Sequence, residues 1–218
     1  VAQTNAATAL NSGTPDTNLN TNGMVDYLMG AGTGPGSFAY VDPEFNIVPD
    51  ETNGTMELVS DEPLVVRYTL DPEAVWSDGT PMTTTDLLLS WAIGSGYYDD
   101  ATYDEATGEV TEGNVYFQLA GSTAGLDTTE FPEIDAEAGT LTLNYGAPYV
   151  DWNLVNLINK PAHVFAEAAG FGSVEELATF LEETPQGDPE SPAEPNEQLQ
   201  TMAELWNTGY NITAMPED

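Results

Sequence analysis

Cysteine is absent from this 218-residue chain, which removes disulfides, thiolate nucleophiles and cysteine-bound zinc. Basic residues are almost as scarce. Arg67 and Lys160 stand against 37 acids, a formal net charge of −35 with the single histidine neutral. Two cations cannot track a phosphate backbone, so nucleic acid and anionic membranes are not expected as partners. One histidine, His163, with no G-x-S-x-G in the chain, leaves no hydrolase triad. The lone lysine is followed by Pro161 rather than the Ser or Thr of a phosphate-binding loop, which excludes kinase, ATPase and GTPase readings. No apolar run approaches the ~20 residues of a membrane-spanning helix. With Val1 in place of a start methionine and no element signal in Met215-Pro216-Glu217-Asp218, the expectation is a chain trimmed at both ends.

What remains is enough to fold. At roughly 150 residues per domain the length predicts one large or two small domains. A hydrophobic content of 40% with ten tyrosines argues against a disordered acidic tail, although charge of one sign repels itself. The spacing of Met24, Val25, Leu28 and Met29 predicts a short helix, ended by the glycines from Gly30 to Gly36. Gly34-x-Gly36-x-x-Ala39 is a poor nucleotide fingerprint, because Pro35 sits inside it and no strand precedes it. Met56–Val59 and Leu64–Leu70 predict an antiparallel pair around Ser60-Asp61-Glu62-Pro63. Thr83-x-x-Asp86 predicts a capped helix whose face carries Leu87, Leu88, Trp91 and Ala92, stopped by Gly94-Ser95-Gly96.

Residues 99–114 are acidic and turn-rich, Val115–Leu119 is a strand candidate, and Thr140–Tyr145 alternates as a strand after a turn at Asp135–Gly139. Pro161 opens a short helix ending at Gly170, and Ser173-Val174-Glu175-Glu176 opens another as a capping box. Thr184–Asn196, with four prolines, is a solvated connector, after which Leu199, Met202, Ala203 and Trp206 resume helical spacing up to Gly209. Hairpins and helices without regular alternation give a mixed α/β, α+β-like arrangement.

Among 37 acids some pair always falls at glycosidase separation, so carboxylate spacing identifies no catalytic pair. Asp99, Asp100, Asp104, Glu105, Glu109 and Glu112 offer oxygen ligands to calcium, but they lack the D-x-D-x-D-G spacing, since counting back from Gly108 puts Tyr103 where the first aspartate belongs. A solvated acidic loop is the plainer reading.

The most informative stretch is Ala74-Val75-Trp76-Ser77-Asp78-Gly79-Thr80-Pro81-Met82-Thr83-Thr84-Thr85-Asp86-Leu87, directly after Tyr68-Thr69-Leu70. It resembles the signature W-S-D-G-x-P-x-T-A-x-D of the family 5 extracellular solute-binding proteins, the oligopeptide- and dipeptide-binding lipoproteins of ABC importers. The departure is Thr84, where alanine is usual. Physically, Asp78-Gly79 makes a tight turn, Pro81 sets its exit and Thr83 caps the helix that buries Trp91, which are structural roles rather than ligand contacts. Leu10-Asn11 resembles the family's opening L-N-P. Tyr149-Val150-Asp151-Trp152 followed by Lys160-Pro161-Ala162-His163 resembles the dW…PAH of its actinobacterial branch.

The resemblance implies the N-terminal portion of a two-lobed periplasmic-binding-protein type II fold with an inserted domain, the second lobe being missing. Residues 1–37 would form the first segment of the main lobe, 38–160 an inserted α+β domain, and 161–218 a second, incomplete main-lobe segment. It also implies extracytoplasmic binding of a small peptide by a monomer that serves ABC transporter permease subunits. That protein would be held at the cell surface by a lipid anchor, with no enzymatic activity, cofactor or metal. In the family the peptide lies extended between lobes and is held through its backbone, in the manner of strand addition. Carried onto this sequence, the ligand-facing backbone stretch falls at Asp16, Thr17 and Asn18. A cleft aromatic falls at Tyr116, in a Y-F-Q that resembles the family's Y-L-Q, and a cationic cleft position falls at Lys160. A plain surface loop, a core tyrosine and a surface lysine are the corresponding structural readings. Two other functions are compatible with the composition: an acidic secreted glycoside hydrolase domain, and a calcium-dependent surface adhesion module built on residues 99–112.

Overall fold

The computed structural model describes residues 6–28 and 37–212. Its centre is a four-stranded antiparallel sheet in the order β3-β4-β8-β7, formed by β3 (Gly54–Asp61), β4 (Leu64–Leu70), β7 (Glu133–Asp135) and β8 (Thr140–Asn144). β1 (Ala39–Val41) and β2 (Ile47–Pro49) make a separate antiparallel ribbon, as do β5 (Thr102–Tyr103) and β6 (Val110–Glu112). Helices α1 (Asn20–Leu28), α2 (Thr84–Ser95), α3 (Ala162–Ala168), α4 (Val174–Glu183) and α5 (Glu197–Glu204) complete the described elements, the last running into a wider π-helical turn at Leu205–Gly209. Met29, the glycine stop from Gly30 to Gly36 and Met215–Asp218 lie outside the described residues.

Alternation builds one face of the sheet. Leu64, Val66, Tyr68 and Leu70 of β4 are buried, and the register sets Val66 opposite Leu143 and Tyr68 opposite Leu141, both also buried. The other face is polar: Arg67 lies between Glu57 and Thr142, its Nε donating to Thr142 Oγ1 at 3.4 Å. Helix α2 packs against β8, α3 and α4. The predicted apolar face understates it, since Leu87, Leu88, Leu89, Trp91, Ala92 and Ile93 are all at most 2% exposed. A helix apolar all round belongs in the middle of a structure rather than at its surface. Burying three leucines contributes about 1.5–3 kcal/mol each relative to leaving them exposed. The Trp91 indole N–H donates to Thr129 Oγ1 at 2.7 Å, and its ring meets Tyr97 and Phe131. One core cluster runs from Phe38 through the sheet and α2 to Trp206.

Several local expectations change in the structure. Ser60 and Asp61 stay in β3, so the β3–β4 turn tightens to Glu62-Pro63. Asp135 is strand rather than turn because Glu133–Asp135 pairs with Thr140–Thr142. Residues 99–114 hold the β5–β6 ribbon, whose turn is closed by Asp104 Oδ1 accepting from the N–H groups of Ala106 and Thr107. Pro161 is the residue before the first turn of α3, not within it. Ser173 caps Glu176 as expected, while the Glu176 carboxylate takes the N–H of Gly172 instead of Ser173.

The larger correction is Val115–Leu119, which pairs with no strand. Side chains, not a neighbouring strand, satisfy its backbone at Tyr116 and Gln118. The 184–196 connector carries no element, yet it is pinned. Gly187 donates its N–H to Tyr97 O, and a Cβ there would stand 2.2 Å from Asp99 O. Asp100 Oδ2 accepts from Ala193 N at 2.7 Å, and Tyr116 Oη accepts from Asn196 N at 3.0 Å.

Candidate functional site

Two hydrogen-bonded constellations organise the residues singled out from sequence. In the first, Trp76-Ser77-Asp78-Gly79-Thr80 closes a tight loop in which Gly79 N donates to Trp76 O and Trp76 N to Thr80 O. Gly79 sits at φ +87, a conformation that disfavours side chains. The Asp86 carboxylate, 3% exposed, accepts from Trp76 Nε1 (3.1 Å), Thr83 N (2.7 Å), Thr83 Oγ1 (3.2 Å) and Ala162 N (2.7 Å). Burial pushes this carboxyl above its ordinary range, and the four donors oppose that shift. His163 Nε2 meets Asp78 Oδ2 at 2.9 Å. The motif at 76–86 and the Pro161-Ala162-His163 segment therefore form one joint between the start of α2 and the start of α3. Every polar group named here is occupied by another part of the chain.

The second constellation converges on residues 206–211. Leu10 N donates to Tyr210 O, Ile212 N to Thr8 O, and Asn11 Nδ2 to Trp206 O at 2.8 Å. Asn22 Oδ1 takes the N–H groups of Thr8 and Ala9, while its Nδ2 holds Thr17 O. Asn207 Nδ2 donates to Tyr116 O (2.9 Å), Asn207 Oδ1 accepts from Gln118 N (3.0 Å), and Trp206 Nε1 donates to Gln118 O (2.8 Å). Ala120 N then reaches Gly13 O at 2.8 Å. The N-terminal stretch, the 116–120 stretch and the turn after α5 thus meet.

The sequence-predicted site residues fall around that junction. Asp16 and Asn18 are exposed, whereas Thr17 is buried and its hydroxyl pairs with Thr14 Oγ1 at 2.7 Å. Tyr116 is 6% exposed, with its hydroxyl on the 184–196 strap and burial raising its phenol. Lys160 is 8% exposed, its Nζ 5.3 Å from the centre of the Tyr210 ring, a cation–π placement. Asn11, Asn22, Trp206, Asn207 and Tyr210 connect these stretches; Asn22, Asn207 and Tyr210 were not singled out from sequence, and Asn11 and Trp206 only as part of the family-like opening and of a helical face. The available signal was the two aromatic-Asn pairs Trp206-Asn207 and Tyr210-Asn211, and it is a faint one.

Neighbouring acids serve the same junction. Asp99 Oδ1 accepts Tyr116 N, and burial raises its carboxyl to about 6, with Asp100 adding repulsion. Desolvation acts upward on Asp100 too, but N–H donors from Ala193 and Asn114 together hold it below the ordinary range. Among the described residues no group of three or more His, Asp or Glu is placed to hold a metal ion, and no helix is long and apolar enough to cross a membrane.

No family model matches the chain. It is 40% identical over 70 residues to an uncharacterized lipoprotein of Mycobacterium tuberculosis, a match covering 32% of this chain and 12% of that protein. It is 34% identical over 98 residues to the oligopeptide-binding protein OppA of the same species, covering 45% of this chain and 14% of that protein. Among solved structures, the periplasmic EDTA-binding protein EppA superposes with TM-score 0.56 at 23% identity, over 86% of this chain and 32% of EppA. The oligopeptide-binding protein AppA of Bacillus subtilis, solved with a nonapeptide, gives 0.51 at 10% identity, over 85% of this chain and 31% of AppA. The chain carries part of a type II periplasmic-binding-protein fold. The resemblance read from the 76–86 motif thus holds as partial homology to solute-binding proteins and lipoproteins. This partial fold spans about a third of the solved neighbours it matches.

Proposed function

We propose that this chain is part of an extracytoplasmic solute-binding protein that captures peptides for an ABC importer. The observation that carries the reading is the 98-residue likeness, at 34% identity, to an oligopeptide-binding protein. In this reading residues 1–37 and 161–218 are two segments of the main lobe and 38–160 is the domain inserted between them. Asp16, Thr17, Asn18, Tyr116 and Lys160 face the ligand, and the junction at 206–211 holds their stretches together. The full-length protein is a monomer anchored by lipid at the cell surface, meets the permease subunits, and catalyses no reaction. The hydrolase and calcium-adhesion readings gain no support, and Asp100 and Asp104 are occupied in holding loops.

Affinity for a small ligand depends on enclosing it in a concave site with a few convergent polar groups. A chain that supplies one wall of such a site loses about 4 kcal/mol or more, roughly a thousandfold in affinity. Calorimetry with a mixed tripeptide pool tests this. Saturable binding is expected for the full-length protein at micromolar concentration and none for the isolated 218 residues. Failure of the full-length protein to bind overturns the peptide reading. Tight binding by the isolated chain overturns the two-lobe architecture.

A further inference from the structure

Gln118 is an exposed glutamine on a main chain that is held on both sides. Its N–H donates to Asn207 Oδ1 at 3.0 Å and its C=O accepts from Trp206 Nε1 at 2.8 Å. Two residues earlier, Tyr116 has its N–H on Asp99 Oδ1 and its C=O on Asn207 Nδ2, both at 2.9 Å. Two residues later, Ala120 N is fixed to Gly13 O at 2.8 Å. Tyr116 and Phe117 are each 6% exposed, so the packing that precedes Gln118 is tight as well. The Gln118 carboxamide itself has no hydrogen bond among the described residues.

An ordinary surface glutamine rides on a loop whose backbone water can satisfy. Here the indole N–H of buried Trp206 and the side-chain amide of half-buried Asn207, both in the turn after α5, fix the peptide units on either side of one exposed polar side chain. Fixing the backbone removes in advance the main-chain share of the freedom that binding would otherwise have to remove, leaving only the side-chain rotamers to be ordered. A carboxamide carries an acceptor and two donors. Its matching partner also offers both, as a peptide unit does with its C=O and N–H. A carboxylate would use only the donors, and the net charge of −35 opposes anionic ligands.

We propose that Gln118 hydrogen-bonds a main-chain amide of the bound peptide, with Asn207 and Trp206 as its positioning residues. The inference rests on the peptide-binding reading above. It makes Gln118 a sequence-tolerant contact, since every peptide bond presents the same pair of groups.

The test uses the full-length protein and alanine peptides of two to five residues, followed by calorimetry. Wild type is expected to bind at least one of them. Gln118→Ala is expected to weaken that binding about fivefold to tenfold, the scale of one or two hydrogen bonds, with an unchanged melting temperature. Asn207→Ala is expected to weaken binding and lower melting. In the Asn207→Ala background the further effect of Gln118→Ala should largely vanish, because a glutamine no longer held has less to lose. If wild type binds no alanine peptide, the peptide reading fails. If wild type binds and Gln118→Ala binds equally well, that reading stands and the role of Gln118 is overturned. Equal effects of Gln118→Ala in both backgrounds overturn the positioning role of Asn207.

Discussion

The joint at Asp86 and the junction at Asn207 are built from the same materials and used in opposite ways. At Asp86 one buried carboxylate collects four donors, all supplied by the chain itself. At Asn207 side chains fix the main chain of residues 116–118 while an exposed amide is left free. A closed network contributes stability, and a network with one unused member at the surface presents that member. The difference separates a motif whose bonds are spent on the fold from a segment that, in the proposed reading, meets a ligand, although in both places side chains accept backbone N–H groups.

The sharpest way to break the comparison is Asp86→Ala. It leaves the buried N–H of Ala162 and the half-buried N–H of Thr83 without their acceptor, so a loss of about 3 kcal/mol is expected in urea unfolding. Ligand affinity of the full-length protein should be unchanged; a loss of affinity without a loss of stability would move the motif into the binding site. Gly79→Val probes the same joint more gently. A Cβ there would meet no atom within 4 Å, but φ is +87, so only the backbone conformation resists, at about 2 kcal/mol. Thermal melting of the variant measures it, and an unchanged melting temperature would remove Gly79 from fold maintenance.

Asp99 tests the other side through pH. Its carboxyl is raised to about 6 in the fold, above the ordinary value near 3.9 of an unfolded chain. The folded state therefore holds the proton more tightly, and the contribution of Asp99 to stability falls as pH rises from about 4 to about 6. Asn at this position still offers an oxygen to Tyr116 N and carries no charge. Asp99→Asn should gain about 1–2 kcal/mol relative to wild type between pH 4 and pH 7, discounted for partial exposure. A stability difference that stays flat across that window would show that Asp99 is not strained by burial. Salt distinguishes the two regions least. At −35, repulsion is spread over the whole surface and is screened within a Debye length near 10 Å at about 0.1 M. The melting temperature should rise with NaCl in wild type and in all three variants alike, and a flat or falling response would show that self-repulsion does not limit stability.

The parts of this structure that were readable in advance share a short range. The β3–β4 pair lies across one tight turn, the α2 cap lies within Thr83–Asp86, and α4 opens on Ser173. The local misses move a turn or an element boundary by a few residues, and the larger misses are long-range. Val115–Leu119 has the composition of a strand, yet Asp99, Trp206 and Asn207 take the place of a neighbouring strand. α2 shows an apolar face in sequence, but the partners that bury its other faces come from α3, α4 and the 126–128 turn. Tyr116 and Lys160 were singled out through resemblance. What each touches, the N–H of Asn196 and the ring of Tyr210, follows from packing alone.

By itself the sequence determined the motif at 76–86 and the kind of fold that carries it, because Trp76, Thr83 and Asp86 bond one another across at most ten residues and a local network imposes a spacing. Only the tertiary structure decided that Asn207 and Trp206 would hold Gln118, at separations of 89 and 88 residues. A side chain that bonds a distant backbone leaves no pattern in the sequence, since nearly every residue offers the same N–H and C=O and the choice among them is made by packing.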